Sequence, residues 1–170
     1  MTNSIDSFAE LAALYCSLVE HHDDYSTEAF VGRVRELLPL LYYRALKLPE
    51  VETTDEEIDR EISHEEWSRM FGSLLHKLGS NDFYWKIYDP LKMEHGEAVA
   101  ASLSDDLADI WRDLKHGILR WPTTDTTTRQ EIVWDWRFSF HHHWSNHIVD
   151  ALRAINWIVE CYGIRDGEDN

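Results

Sequence analysis

Apolar residues recur every three or four positions along almost the whole chain, which is the period of amphipathic helices and not of strands. Ile5, Phe8, Leu11, Ala12, Tyr15, Leu18 and Val19 share one stripe. They predict a first helix from about Ser4 to His22, ended by His21-His22-Asp23-Asp24. A second helix starts at Ser26 or Thr27 as N-cap and carries Phe30, Val31, Val34, Leu37, Leu38, Leu41 and Ala45. Pro39 lies inside it, and the lost hydrogen bond and ring clash of an internal proline predict a kink near Arg35 to Leu38. In the third helix Ser63-His64-Glu65-Glu66 reads as a capping box, Trp67, Met70, Phe71, Leu74, Leu75 and Leu78 form the buried face, and Gly79 ends it.

The fourth helix begins at Ser102 or Ser104 with Asp105 and Asp106 in its first turn. Its stripe is Leu103, Leu107, Ile110, Trp111, Leu114 and Ile118, and Pro122 stops it. The fifth is opened by Thr128 and Glu131, read as a second capping box, and runs through Ile132, Trp136, Phe140, His143, Trp144, His147, Ile148, Ala151, Leu152, Ile155, Val159 and Tyr162 to Gly163. At 1.5 Å per residue it would be about 50 Å long, so a bend or break is expected near Phe138 to His142. Between helices three and four lies an aromatic arm, Phe83-Tyr84-Trp85 with Tyr88, whose local conformation the pattern leaves open as a short helix, a tight turn or an irregular segment. Residues 91 to 101 read as a loop with weak helical content. The fold expected is all-α: one domain over residues 1–170, an antiparallel bundle of about five helices with a long last helix and a short aromatic arm. An acidic loop at about 48–63 and a frayed tail at 166–170 complete it.

Charge sharpens this picture. The 170 residues carry a net charge of −16, and nine acids against Arg60 between residues 50 and 66 supply half of it. Such a block is a solvated loop or a docking surface for a basic protein partner. Nucleic-acid phosphates and anionic membrane surfaces are both repelled. No apolar run approaches the roughly 20 residues that cross a bilayer, and residues 1 to 8 lack the pattern of a signal peptide, so the cytoplasm is the expected compartment. Cys16 and Cys161 show no metal-ligand spacing and sit among helical apolar residues, which reads as two buried, inert thiols.

Phosphate-binding, dinucleotide-binding, nucleophile-elbow and HExxH motifs are absent, so the chemistry-bearing candidates are histidines and aspartates. Four of ten histidines lie in His141-His142-His143-Trp144-Ser145-Asn146-His147. On a helix the three consecutive ones point about 100° apart, whereas His143 and His147 share a face, with Asp150 along the same edge. Asp109, Asp113 and His116 form a matching ridge on the fourth helix. If the two helices pack side by side, Asp109, Asp113, His143 and His147 make a ligand set for Zn or Fe. The alternative is a buried hydrogen-bonded cluster of Asp109, Asp113, His116, Trp144 and His147, with Asp113 or Asp109 accepting from His147. Glu-x-x-His occurs once, at Glu61 to His64, where a di-iron bundle needs two. Tyr84, Trp85 and Tyr88 are candidates for stacking a ligand or docking a partner, against the alternative that such rings cap the core.

Several of these stretches together resemble a known family. Leu37-Leu38-Pro39-Leu40-Leu41-Tyr42 is one; Leu78-Gly79 with Asp82, Tyr84 and Tyr88-Asp89-Pro90 is another. Ser102-Leu103-Ser104, Leu107-Ala108-Asp109-Ile110-Trp111 and Asp113-Leu114-Lys115 follow, and then Trp144, His147 and Ala151-Leu152-Arg153-Ala154-Ile155. In this order, over about residues 8 to 160, they resemble a bacterial family known as domain of unknown function 5063. The family pattern includes matches to Asp109, Asp113, Trp144 and His147, while His141 to His143 lie outside it. The resemblance implies the fold and a bacterial cytoplasmic origin, and carries no activity. The function expected is therefore a non-enzymatic protein-binding or regulatory module, with a metal-binding protein or metal-dependent enzyme built on the Asp/His cluster as the alternative.

Overall fold

The computed structural model describes residues 4–53, 62–87, 89–92, 96–122 and 125–164. Helix α1 spans Ser4–Glu20, and a 3₁₀ turn at His22–Asp24 leads into α2, Thr27–Ala45. Helix α3 is His64–Leu78, a two-stranded hairpin follows as β1 (Phe83–Ile87) and β2 (Ala98–Ser102), and α4 is Leu103–Arg120. The last helix, α5, covers residues 126–162 as two α-helical stretches, Thr126–Ser139 and Ser145–Trp157, joined by a π-helical turn at Phe140–Trp144 and followed by another at Ile158–Tyr162.

Helix α4 is the hub. It packs against α1, α3 and both stretches of α5. Its buried residues surround it almost completely: the apolar Leu103, Leu107, Ala108, Ile110, Trp111 and Leu114, and with them Ser104, Asp106, Asp109 and His116. Partner order gives the directions. Asp106 meets His147, Asp113 meets His143 and Leu114 meets Trp136, so α4 and α5 are antiparallel. Ile62 at the start of α3 meets His116 and Trp67 meets Arg112, so α3 is antiparallel to α4 as well. Arg35 meets Glu160 while Tyr42 meets Phe140, which sets α2 antiparallel to α5.

Polar side chains fix these contacts where they cross the core. The buried Tyr15 hydroxyl on α1 donates to the Leu107 carbonyl at 3.0 Å. At the end of α1, Glu20 accepts from the Trp111 indole at 2.9 Å and pairs with Lys115 at 2.6 Å. The Trp136 indole donates to the Leu114 carbonyl at 3.2 Å and lies over Gly117, where a Cβ would come within 2.3 Å of the ring. Glycine is thus required at 117 by close approach.

Most predicted helix ends are where the caps put them. Ser26 accepts from Ala29 N, Ser63 and Glu66 form the reciprocal capping box, and Ser102 caps α4. Gly79 and Gly163 both take positive φ at helix ends. Three expectations are corrected. Helix α5 is capped by Asp125, whose carboxylate accepts from Thr128 N at 2.6 Å, so Thr128 and Glu131 are not a capping box. Glu131 is buried and accepts from Thr53. Helix α2 continues through Pro39, which lies on its solvent side. Cys161 is exposed, because the π-helical end of α5 turns it away from the core; Cys16 is buried as expected.

The third correction concerns the arm. It is a strand, and its antiparallel partner is residues 98–102, of which 98–101 read from sequence as loop with weak helical content and Ser102 as a helix start; Phe83 lies opposite Ser102 and Ile87 opposite Ala98. Phe83, Trp85 and Ile87 face solvent while Tyr84 and Lys86 turn inward, the alternation of a half-buried strand. Asp82 welds the hairpin to α4. Its carbonyl accepts from Leu103 N at 2.9 Å, and its fully buried carboxylate accepts from Ser104 N at 2.7 Å and Ser104 Oγ at 3.1 Å. Burial pushes the Asp82 carboxyl above the usual range, against the pull of those bonds. The centre of the predicted acidic loop (54–61), the predicted frayed tail (166–170) and Tyr88 lie outside the described residues. Of the loop's start, Glu50 pairs with Arg137 and the Glu52 carbonyl accepts from Gln130, both on α5.

The close approach of α4 and α5 yields a stability prediction. Gly117→Ala gains about 1 kcal/mol of helix propensity but drives a methyl into a buried indole, a cost of roughly 1–3 kcal/mol or more. A lowered urea midpoint is expected, and an unchanged or raised one would contradict the packing described here.

Candidate functional site

The spacing of Asp106, Asp109 and Asp113 puts all three carboxylates on one ridge of α4, facing α5. On α5 the apolar positions Ile132, Trp136, Phe140, Trp144 and Ile148 recur at strict intervals of four. With 3.6 residues per turn each such step overshoots by about 40°. The wider π-helical turn at Phe140–Trp144 absorbs the overshoot and keeps the stripe on the core. It also holds His143 and His147 against the acidic ridge, their rings 4.8 Å apart between centroids. Such turns occur frequently at functional sites.

Polar contacts cluster along this ridge. His147 Nδ1 is 2.8 Å from Asp106 Oδ1, and His143 Nδ1 is 2.6 Å from Asp113 Oδ2. The Tyr84 hydroxyl of β1 donates to Asp106 Oδ2 at 2.6 Å. Arg112 donates to Asp109 Oδ1 at 2.7 Å and lies over the Trp67 ring. At one end Lys86 donates to Asp150 at 2.9 Å. Since an ionised carboxylate only accepts, each imidazole donates from Nδ1 and, when neutral, carries its lone pair on Nε2. Both Nε2 atoms turn toward Asp109 Oδ2, at 3.4 Å from His147 and 3.8 Å from His143. Those separations exceed the 2.7–3.2 Å of an N–H···O hydrogen bond.

Electrostatics follow from burial. Asp106 is 1% exposed and Asp109 8%. Burial pushes the Asp106 carboxyl above its usual range, opposed by the hydrogen bonds from His147 and Tyr84. Burial also raises Asp109, opposed by Arg112 and the two imidazoles. The hydrogen bond to Asp113 raises His143 above the ordinary imidazole value, against partial burial. The Tyr84 phenol is pushed well up by burial and by the adjacent Asp106.

Of the residues singled out from sequence, Asp109, Asp113, His143 and His147 come together. His116 does not join them: it is buried on the α3 side, where Nδ1 accepts from Ile62 N at 3.3 Å. Trp144 is also apart, fully buried between Phe8 and Phe140, with its indole donating to Ser139 Oγ at 3.0 Å. Trp85 is exposed, and Tyr84 spends its hydroxyl on Asp106. The carboxylate that accepts from His147 is Asp106, not the expected Asp113 or Asp109. Sequence reasoning passed over Asp106 because acids in a first turn are explained by the helix terminus; its i, i+3 spacing to Asp109 was the available signal. Tyr84 and Lys86 could not be connected to the ridge before the arm was known to be a strand. Among the described residues, the ligand atoms of Asp109, His143 and His147 lie within 4.8 Å of one another, as do those of Asp105, Asp106 and His147.

Two outcomes test this network. Asp106→Ala leaves the Tyr84 hydroxyl and His147 Nδ1 without their acceptor, and each such loss costs about 1–3 kcal/mol; a urea titration showing no loss of stability would contradict the contacts. In chelator-treated protein the raised His143 value gives a definite sign. Its stabilising pairing is fully present below the unfolded imidazole value of about 6.5 and is lost as pH rises through the higher folded value. The stability difference between wild type and His143→Gln should therefore shrink as pH rises, and a pH-independent difference would refute the pairing.

Comparison with known proteins places the chain. A crystal structure of protein BF1032 from Bacteroides fragilis, a structural-genomics target, superposes with a TM-score of 0.83 at 24% sequence identity, over 97% of this chain and 98% of that one. That likeness establishes a shared fold. No curated protein matches the sequence. No described helix is long and apolar enough to cross a membrane. The family model for domain of unknown function DUF5063 matches residues 1–160, and the chain belongs to that family.

Proposed function

We propose that this chain is a metal-binding protein that holds a divalent transition metal, Zn or Fe(II), between α4 and α5 through Asp109, His143 and His147. One observation carries the reading. Two imidazole Nε2 atoms and a carboxylate oxygen converge at 3.4 and 3.8 Å, too far to hydrogen-bond to one another, while each imidazole's other nitrogen is held by its own aspartate. Neutral imidazoles in that orientation aim lone pairs at an anion, an arrangement that a cation between them relieves. Ligands about 2.1 Å from a metal stand roughly 3.0–3.4 Å apart in octahedral or tetrahedral geometry, so small side-chain rotations suffice. Asp106 and Asp113 then serve as the carboxylates that orient ligating histidines and raise their basicity, and Arg112 fixes the remaining oxygen of Asp109. Two histidines and one carboxylate leave coordination positions free for water or a small oxygen ligand, as catalytic centres do and closed structural sites do not. The half-exposed His143 puts those positions near solvent.

A second reading, a module that docks a protein partner, draws support from the exposed stack of Phe138 on Trp134 and His142. It predicts one stoichiometric partner retained by wild-type bait and lost by Phe138→Ser. A cytoplasmic setting suits both readings.

The metal reading is tested on untagged protein purified without chelator. Elemental analysis should find about one Zn or Fe per chain. Adding metal to the apo form at ~100 times Kd should stabilise it by about 2.7 kcal/mol, and Asp109→Asn and His147→Ala should lose that gain. Metal well below stoichiometry, together with a melting temperature indifferent to added metal, would end the proposal.

A further inference from the structure

Away from the acidic ridge, a cleft of about 500 Å³ opens between the hairpin and the end of α5. Phe83 and Trp85 contribute from β1, Trp157 and Tyr162 from α5, and Ser80 and Asn81 from the turn before the strand. The size is that of a small-molecule site, which typically pairs apolar and aromatic walls with a few polar groups. Four rings remain strongly exposed at its edge: Phe83 at 69%, Trp85 at 71%, Trp157 at 52% and Tyr162 at 68%. Hydrophobic burial alone would have drawn such large rings inward, as it does Trp136 and Trp144.

Charge narrows the ligand. Arg153 is the one formally charged side chain in the lining, and it is exposed with no ion-pair partner among the described residues. In a chain of net charge −16, a cationic spot ringed by aromatic faces is a local reversal of sign. A guanidinium with free donors recognises a carboxylate or phosphate through paired hydrogen bonds. Aromatic faces recognise a flat ring. The cleft volume of about 500 Å³ suits a small anion.

We propose that this cleft binds a small planar aromatic anion up to the size of a mononucleotide, its ring stacked on the tryptophan walls and its carboxylate or phosphate held by Arg153. The site stands independently of the metal centre. It touches that centre only through Tyr84, which lines the cleft and donates its hydroxyl to Asp106.

The test is isothermal titration of the full chain with AMP, FMN and indole-3-acetate, each beside its neutral counterpart adenosine, riboflavin or indole-3-acetamide. At least one anion should saturate with Kd below about 1 mM, and its neutral counterpart should bind about tenfold more weakly, the loss of a charge-assisted contact. Arg153→Gln should erase that difference, and Trp157→Ala should weaken both members of the pair. Both side chains are exposed, so both variants should keep the wild-type melting temperature. Binding unchanged in Asp109→Asn separates this cleft from the metal reading. The proposal is overturned if none of the three anions saturates, if the neutral partners bind equally well, or if neither cleft variant alters binding.

Discussion

Helix α4 is buried on nearly every side, and its acidic ridge is buried with it; the rest of the molecule is arranged around that constraint. A carboxylate withdrawn from water is costly unless partners surround it. Asp106, Asp109 and Asp113 take their partners from three elements: two imidazoles from α5, a phenol from the hairpin and a guanidinium from α4 itself. The same contacts that satisfy the acids set the stagger of α5 on α4 and seat the hairpin. Stability and candidate chemistry therefore share one group of side chains.

The long last helix shows how a local irregularity serves this arrangement. Apolar residues at intervals of four from Ile132 to Ile148 cannot stay on one face of a regular α-helix. The π-helical turn at Phe140–Trp144 reconciles that spacing with the core, and Phe140 and Trp144 are buried by it. His143 rides on the same turn, and His147 follows it in the next α-helical stretch. Gly117 leaves room for the Trp136 indole against α4.

Much of the fold was legible because it rests on local chemistry: stripe periodicity for five helices, Ser63 with Glu66 for the start of α3, Gly79 and Gly163 for helix ends. Excess length suggested a bend or break near Phe138 to His142; the helix instead runs on through a π-helical turn at Phe140–Trp144, which suits the four-residue spacing. The hairpin was hidden, since Ala98 to Ser102 is a small-residue stretch with no strand pattern of its own, and pairing with the aromatic strand decides its conformation. At the site, the Asp109, Asp113, His143 and His147 set could be assembled from helix spacing alone. Asp106 was obscured by its plain role at a helix start, and His116 and Trp144 were drawn in by proximity in sequence although their side chains point to other neighbours.

What distinguishes a cation site from a purely structural polar seam is where the imidazole protons reside. Long-range ¹H–¹⁵N correlation spectra of the metal-free protein, recorded at a pH where both rings are neutral, read this directly. The account requires His143 and His147 both to be protonated at Nδ1, with Nε2 bare and directed at Asp109. Protons on Nε2 in either ring would contradict it, because the aspartates at Nδ1 would then face lone pairs and the convergent donor set would not exist.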